Sequence, residues 1–138
     1  MRINQIEPWL REHGAEVQPV PLSARFNAYL STLPWAGNGI DWRDLPHRSL
    51  RLDDVSDERV VDWARQTPVA LHSHSLIIDS ASEPGVMCRF EDAMRDFELL
   101  SNRPDLYICG VGLVKGEVQP TFDRFIERRS FMTLNARI

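Results

Sequence analysis

Residues His72–Val114 read HSHSLIIDSASEPGVMCRFEDAMRDFELLSNRPDLYICGVGLV and contain three strongly patterned segments in succession. Leu76–Ile78 and Val86–Cys88 are short apolar runs separated by turn-forming residues, a pattern that predicts a β-hairpin. The next segment carries apolar residues at helical spacing and predicts an amphipathic helix that ends before Pro104. Its apolar face consists of Phe90, Ala93, Met94, Phe97 and Leu100. Leu106–Val114 is apolar almost throughout, as is typical of a strand buried on both faces in the middle of a sheet.

Two helices and an extended segment are predicted before residue 35. Apolar residues at helical spacing from Ile3 predict a first helix that ends at Gly14. Glu16–Leu22 contains two prolines, which lack N–H groups and restrict this segment to an edge strand or an extended connection. Ser23 is placed to cap a second helix that ends before Pro34. The inner face of this helix is predicted to hold Phe26, Tyr29, Leu30 and Leu33.

A short strand and a third helix follow the loop that ends at Pro46. Arg48–Leu52 is compatible with a strand, and Ser56 is placed to cap a helix that ends before Pro68. Acidic residues in the first helical turn complement the positive end of the helix dipole. Asp57 and Glu58 therefore have a structural explanation as well as a functional one.

The last thirty residues are predicted to form a turn, a helix and a strand. Lys115-Gly116 is interpreted as the turn, and Thr121 as the cap of a last helix. This helix would carry Phe122, Phe125 and Ile126. Ser130–Ile138 alternates weakly and is interpreted as an edge strand. Together the patterns predict an α+β or mixed α/β fold, with residues 1–138 in a single globular domain of four to five strands and four to five helices.

Composition excludes several classes of protein. The chain has no apolar run long enough for a membrane span or a secretory signal, so we expect a cytoplasmic protein that does not bind membranes. Cys88 and Cys109 lie in apolar runs and are expected to act as small buried hydrophobes. The net charge is −4 and no cluster of basic residues is present, which argues against nucleic-acid binding. Residues 41–62 hold seven acids against four arginines, a charge balance that suits a basic protein partner.

Motifs that would indicate catalysis are weak. His72-Ser-His74 would place two imidazoles on one face of a strand, as a zinc site requires. If the hairpin pairs Asp79 with Val86, however, the nearest thiol, that of Cys88, points elsewhere. No serine lies in a nucleophile elbow, and Gly110-Val-Gly112 lacks the third glycine and the helix of a dinucleotide loop. We therefore expect no catalytic residue, no metal and no cofactor. The alternative is a small hydrolase or metal-dependent enzyme that uses His72 and His74.

The segment from Trp35 to Asp62 is the most distinctive surface candidate. Two tryptophans flank a loop that contains two glycines, and tryptophan is enriched at the anchors of protein interfaces. The alternatives are that both indole rings fold back onto the domain or that at least one is an exposed anchor. The predicted partner-binding residues are Trp35, Asp41, Trp42, Asp44, Asp53, Asp54, Asp57, Glu58 and Asp62.

In three respects the chain resembles the small immunity proteins that neutralise toxin domains in bacterial contact-dependent inhibition and related polymorphic toxin systems. These are the small α+β domain, the acidic segments around Asp41–Asp44 and Asp53–Glu58, and the hairpin–helix–strand unit that ends in Tyr107–Gly110. Fifteen arginines against one lysine fit a bacterial gene of high GC content. The resemblance implies a cytoplasmic, non-catalytic inhibitor of a basic toxin domain. An adaptor subunit of a larger assembly is a further alternative.

Overall fold

The computed structural model of the protein describes residues 3–138, with side chains described from residue 5 onward. Four α-helices are found in this part of the chain: α1 (Ile3–His13), α2 (Val20–Leu30), α3 (Asp57–Ala64) and α4 (Phe90–Leu100). A 3-10 helix occupies Pro68–Leu71. The predictions of α1, α3 and α4 are confirmed, and Gly14 has the left-handed φ of +60° expected after a helix.

Seven strands form one antiparallel sheet. They are β1 (Glu16–Gln18), β4 (His47–Arg51), β5 (His74–Ile78), β6 (Gly85–Arg89), β7 (Leu106–Val114), β8 (Glu117–Arg129) and β9 (Thr133–Arg137). Their order is β1-β6-β5-β7-β8-β9-β4. Two short strands, β2 (Trp35–Ala36) and β3 (Gly39–Ile40), form a separate hairpin. The fold is therefore mixed α+β, and its sheet is larger than the four to five strands predicted.

Both faces of the sheet are covered. On one face α1, α3 and α4 pack against alternate strand residues such as Ile77, Ile108 and Ile126. On the other face α2 and the segment around β3 pack against the residues in between, such as Leu76, Cys109 and Phe125. Because successive side chains of a strand point to opposite faces, two buried faces explain why β7 is apolar from Leu106 to Val111. The prediction of a strand buried on both faces is wrong for Leu113 and Val114, which are exposed. We call the two faces of the sheet the α3–α4 face and the α2 face.

The region predicted as the last helix is the long strand β8 instead. The pairing of β7 with β8 runs through Cys109↔Phe125 and then Gly110↔Thr121, so residues 122–124 lie outside the ladder at a bulge. Phe125 and Ile126 are both buried, but on opposite faces of the sheet. The bulge thus produces the apolar spacing of a helix within a strand.

Two other predictions at the ends of elements are wrong. β9 pairs with β8 on one side and β4 on the other, so Ser130–Ile138 contains an interior strand and β4 is the edge. Helix α2 begins at Val20, so Val20–Leu22 is helical rather than extended. Pro21 lies in the first turn, where the N–H that proline lacks would have no partner within the helix, and Ser23 is a buried helical residue rather than the cap.

The register of the β5–β6 hairpin is shifted by two residues from a pairing of Asp79 with Val86. Ile77 pairs with Val86, and Cys88 pairs with Ser75. Asp79 lies outside the ladder, where it accepts a hydrogen bond from Ser101 Oγ at 2.7 Å. A shift of two residues leaves each side chain on the same face, so Cys88 does point away from His74. Cys88 and Cys109 are buried free thiols. No helix of the described chain has the length and apolarity needed to cross a membrane.

Candidate functional site

The loop between α2 and β4 folds as a small hairpin against the α2 face. Trp35 pairs with Ile40 and Ala36 with Gly39, and Gly37 at the tip has a φ of +62°. Gly39 lies so close to the guanidinium of Arg129 that a Cβ atom would overlap it. The glycine therefore allows the hairpin to approach β8 directly.

The two tryptophans of this loop have different environments. The Trp35 side chain is 43% exposed, and its indole N–H donates to the carbonyl of Leu30 at 2.9 Å. Trp42 is only 8% exposed and packs in the core of the α2 face. The alternative of at least one exposed ring therefore holds for Trp35, whereas Trp42 is part of the core and offers little surface to a partner.

A buried polar row fixes the position of Trp42. Glu127 Oε1 accepts hydrogen bonds from Trp42 Nε1 at 3.0 Å and from Asn135 Nδ2 at 3.3 Å. Asn135 Oδ1 in turn accepts from Ser49 Oγ at 2.6 Å. Burial raises the pKa of Glu127, and the two donated hydrogen bonds oppose that rise. Sequence reasoning missed this row because its central residue lies in the strand that was predicted as a helix.

The acids of the hairpin loop are partly neutralised. Asp41 accepts hydrogen bonds from Arg43 Nη2 at 2.6 Å and Nε at 2.9 Å. These hydrogen bonds lower the pKa of Asp41 to about 2. Asp44 is exposed and takes part in none of the ion pairs found among the described residues. The predicted residues near the hairpin therefore contribute one exposed ring and one uncompensated acid.

The other predicted acids lie at a different place, where β4 ends and α3 begins. Asp53 pairs with Arg51 at 3.0 Å, and Asp54 has a left-handed φ of 53°. The Ser56 hydroxyl accepts from the amide of Arg59 at 3.2 Å, which confirms the predicted cap. Asp57 and Glu58 in the next turn are exposed. Within the part of the chain that the structure describes, Asp54, Asp57 and Glu58 form no ion pair.

Asp62 differs from these acids because it forms an ion pair with Arg65. Its carboxylate accepts from Arg65 Nη1 at 2.9 Å, and the same guanidinium also binds Glu91 at 3.0 Å. This ion triplet joins α3 to α4 at the solvent-exposed surface. We therefore interpret Asp62 as a structural residue.

The turn between β8 and β9 adjoins the acids at the end of β4. The amide of Leu52 donates to the carbonyl of Met132 at 2.8 Å, so the two turns are in direct contact. Phe131 and Met132 are 49% and 45% exposed, respectively. We call the exposed side chains of Asp53, Asp54, Asp57, Glu58, Phe131 and Met132 the turn surface.

The β8–β9 turn is strained and tightly held. Ser130 and Phe131 have φ values of 56° and 60°, a left-handed conformation that costs about 1–3 kcal/mol for each such residue. The amide of Ser130 donates to Asp105 Oδ1 at 2.8 Å, and that of Phe131 donates to the carbonyl of Pro104 at 3.1 Å. Residues of the loop between α4 and β7 therefore hold the turn in place. Phe131 and Met132 lie in the weakly alternating segment Ser130–Ile138, which was predicted as an edge strand and not as a binding surface.

A buried arginine supports the ring of Phe131. The Arg128 side chain is 1% exposed and lies between two rings, with its guanidinium carbon 5.4 Å from the centre of Phe97 and 5.0 Å from that of Phe131. Its Nη2 donates to the carbonyl of Arg103 at 2.6 Å. Burial lowers the pKa of Arg128, and Glu98 and Asp105 oppose that effect. The inner side of the turn therefore packs against a buried guanidinium.

His72 and His74 lie on opposite faces of the sheet, because only His74 belongs to a strand. The 3-10 helix ends just before His72, whose ring covers Gly110 on the α3–α4 face. His74 begins β5 two residues later and, by alternation with Ser75, points to the α2 face. His72 Nε2 lies 3.3 Å from Arg124 Nη1, and burial together with this cation lowers the pKa of His72. His74 Nδ1 forms a hydrogen bond with Ser73 Oγ at 2.8 Å.

Metal-ligating side chains are not brought together elsewhere in the described chain, where no group of three or more histidine, cysteine, aspartate or glutamate residues could hold an ion. Burial raises the pKa of Cys88 and of Cys109 to about 12, so both thiols are protonated at neutral pH. Comparison of the sequence with models of known protein families and with curated proteins gave no match.

Proposed function

We propose that the chain is a non-catalytic cytoplasmic inhibitor that binds a basic toxin domain, as the small immunity proteins do. One observation carries this proposal: three exposed carboxylates, those of Asp54, Asp57 and Glu58, lie together at the end of β4 and the start of α3 without an ion pair in the described chain. Their charge is available to a partner. The whole chain is also acidic, with a net charge of −4.

Charge of this kind acts chiefly on the rate of association. Acidic groups on one partner attract a basic surface on the other before contact, and added salt screens the attraction. A toxin domain that acts on nucleic acid has such a basic surface at its substrate groove. An acidic protein that covers the groove would block the substrate, so inhibition needs no chemistry of its own.

The enzymatic alternative has one supporting observation. His72 and His74 both line a surface hollow of about 540 Å³, together with Arg89 and Glu91. The two imidazoles point to opposite faces of the sheet, however, and Arg124 places a positive charge beside His72. This geometry gives less support to a metal-dependent enzyme than the exposed acids give to binding. Metal analysis of the purified protein tests the alternative, because stoichiometric zinc would favour it.

The binding proposal is tested with the purified product of the reading frame directly upstream, inactivated if it is toxic. The variant Asp54→Asn, Asp57→Asn, Glu58→Gln removes three negative charges and keeps side chains that suit the same backbone. We expect the association rate to fall about tenfold at low ionic strength, with the difference shrinking as salt is added.

The matched control removes three exposed acids elsewhere, through Glu12→Gln, Glu16→Gln and Glu117→Gln, and so changes the net charge equally. The control is expected to associate at nearly the wild-type rate. Equal rates for both variants would show that the turn surface does not steer the partner. No binding by the wild-type chain would remove the proposal, and an upstream product that is not a toxin would favour the adaptor alternative.

A further inference from the structure

We infer that Phe131 and Met132 form the apolar centre of the interface, with the acids of the turn surface as its charged rim. This inference rests on the proposed function, and it adds two residues that were not predicted to bind a partner. Both side chains are about half exposed, and they adjoin the acids through the hydrogen bond from Leu52 to Met132. Aromatic residues and methionine are enriched at the centres of protein interfaces, where a few such residues supply most of the affinity.

A phenylalanine at position 131 does not favour the folded state, because of its backbone conformation and its exposure. Its φ of 60° suits glycine or asparagine far better than a bulky side chain, and half of its ring is left in water. Strained residues of this kind persist where the surrounding structure over-determines them, and they cluster at functional sites. Asp54, in the adjacent turn, is also left-handed, with a φ of 53°. Two turns with left-handed residues therefore meet at one surface.

The ring of Phe131 is positioned before any partner arrives. The guanidinium of Arg128 lies 5.0 Å from the ring centre on the inner side, and the backbone is held by Asp105 and Pro104. A side chain that is already immobilised loses little conformational entropy on binding. The outer part of the ring is therefore a preorganised anchor.

The occupant that fits is a protein segment with an apolar pocket bordered by lysine or arginine. The pocket would receive Phe131 and Met132, and the basic border would face Asp54, Asp57 and Glu58, which are free of ion pairs within the described chain. Charge complementarity decides the class of partner, because an acidic protein would place like charges opposite these carboxylates.

The test again uses the purified product of the upstream reading frame. Met132→Ala shortens one anchor, and Phe131→Asn removes the ring while keeping a residue that tolerates the left-handed backbone. The control is Leu113→Ala on the β7–β8 hairpin, because Leu113 and Met132 are both 45% exposed. We expect each of the first two variants to weaken binding about tenfold or more, mainly through faster dissociation, and the control to change it less than about twofold.

The outcomes separate the two proposals. If the wild-type chain binds and both anchor variants dissociate at the wild-type rate, the anchor is wrong and the acidic binding surface remains. An equal loss for Leu113→Ala would also contradict the anchor, because the effect would not be local. Absence of binding by the wild-type chain would remove the proposed function, and the anchor with it. Met132→Ala keeps the test decisive if Phe131→Asn unfolds the turn.

Discussion

Trp42 donates its indole N–H to the carboxylate of Glu127 at 3.0 Å, across 85 positions of sequence. Both residues are buried, so water cannot readily replace either partner if the other is removed. The bond attaches the loop before β4 to the middle of the sheet. It therefore links the segment predicted to bind a partner to the strand that the sequence did not reveal.

Replacing Trp42 with phenylalanine keeps an aromatic ring in the core and removes the donor. We expect the free energy of unfolding to fall by about 1–3 kcal/mol, because Glu127 is left with one fewer hydrogen bond. Urea unfolding at neutral pH measures the change. Trp35→Phe is the matched control, since its indole donates to a carbonyl at a half-exposed position, and its cost should stay below about 1 kcal/mol. Equal losses would contradict the role assigned to the buried bond.

Glu127 also predicts a pH dependence. Burial raises its pKa above the ordinary value of 4.5, so the folded protein binds this proton more tightly than the unfolded chain does. The contribution of Glu127 to stability therefore falls as the pH rises from the ordinary pKa through the raised one, and below that window the group costs nothing. Glu127→Gln keeps a carbonyl acceptor and removes the charge. It should increase the free energy of unfolding at neutral pH relative to wild type.

The difference between Glu127→Gln and wild type is expected to shrink toward about pH 4, where the wild-type carboxyl is mostly protonated. Urea unfolding across this pH range measures it. Glu117→Gln, at an exposed position on the β7–β8 hairpin, is the control and should show a much smaller pH-dependent difference. A difference that does not vary with pH would show that the charge of Glu127 is not responsible.

Sequence patterns correctly predicted the elements that keep the same faces buried along their length. Helix α4 packs one face on the sheet from Phe90 to Leu100, which explains its helical apolar spacing. Strand β7 is buried on both faces up to Val111, which explains its continuous apolar run. Strand β8 has no such constant pattern, because the bulge after Thr121 changes which residues face the core. A local pattern cannot reveal such a bulge, since the bulge is defined by pairing with β7.

The candidate site also contains residues that could be predicted from the sequence and residues that could not. The acids at Asp54, Asp57 and Glu58 could be found from composition, because charge is a property of the residue itself. The exposure of Phe131 could not, since it depends on a turn held by Pro104 and Asp105, the latter 25 positions before its partner Ser130. Trp42 was predicted to bind a partner, but it is buried, and its burial depends on Glu127, which lies 85 positions away in sequence.

Two glycines of β7 provide a matched test of the packing around His72. A Cβ atom on Gly110 would overlap the imidazole of His72, whereas a Cβ atom on Gly112 would have no neighbour within 4 Å. Gly110→Ala should therefore displace the ring from Arg124 and destabilise the protein by about 1–3 kcal/mol. Gly112→Ala should change stability by less than about 0.5 kcal/mol. Because the overlap requires the imidazole, the cost of Gly110→Ala should largely disappear in a His72→Ala background, as a double-mutant cycle of urea unfolding would measure. A cost that persists in that background would show that His72 does not require the glycine.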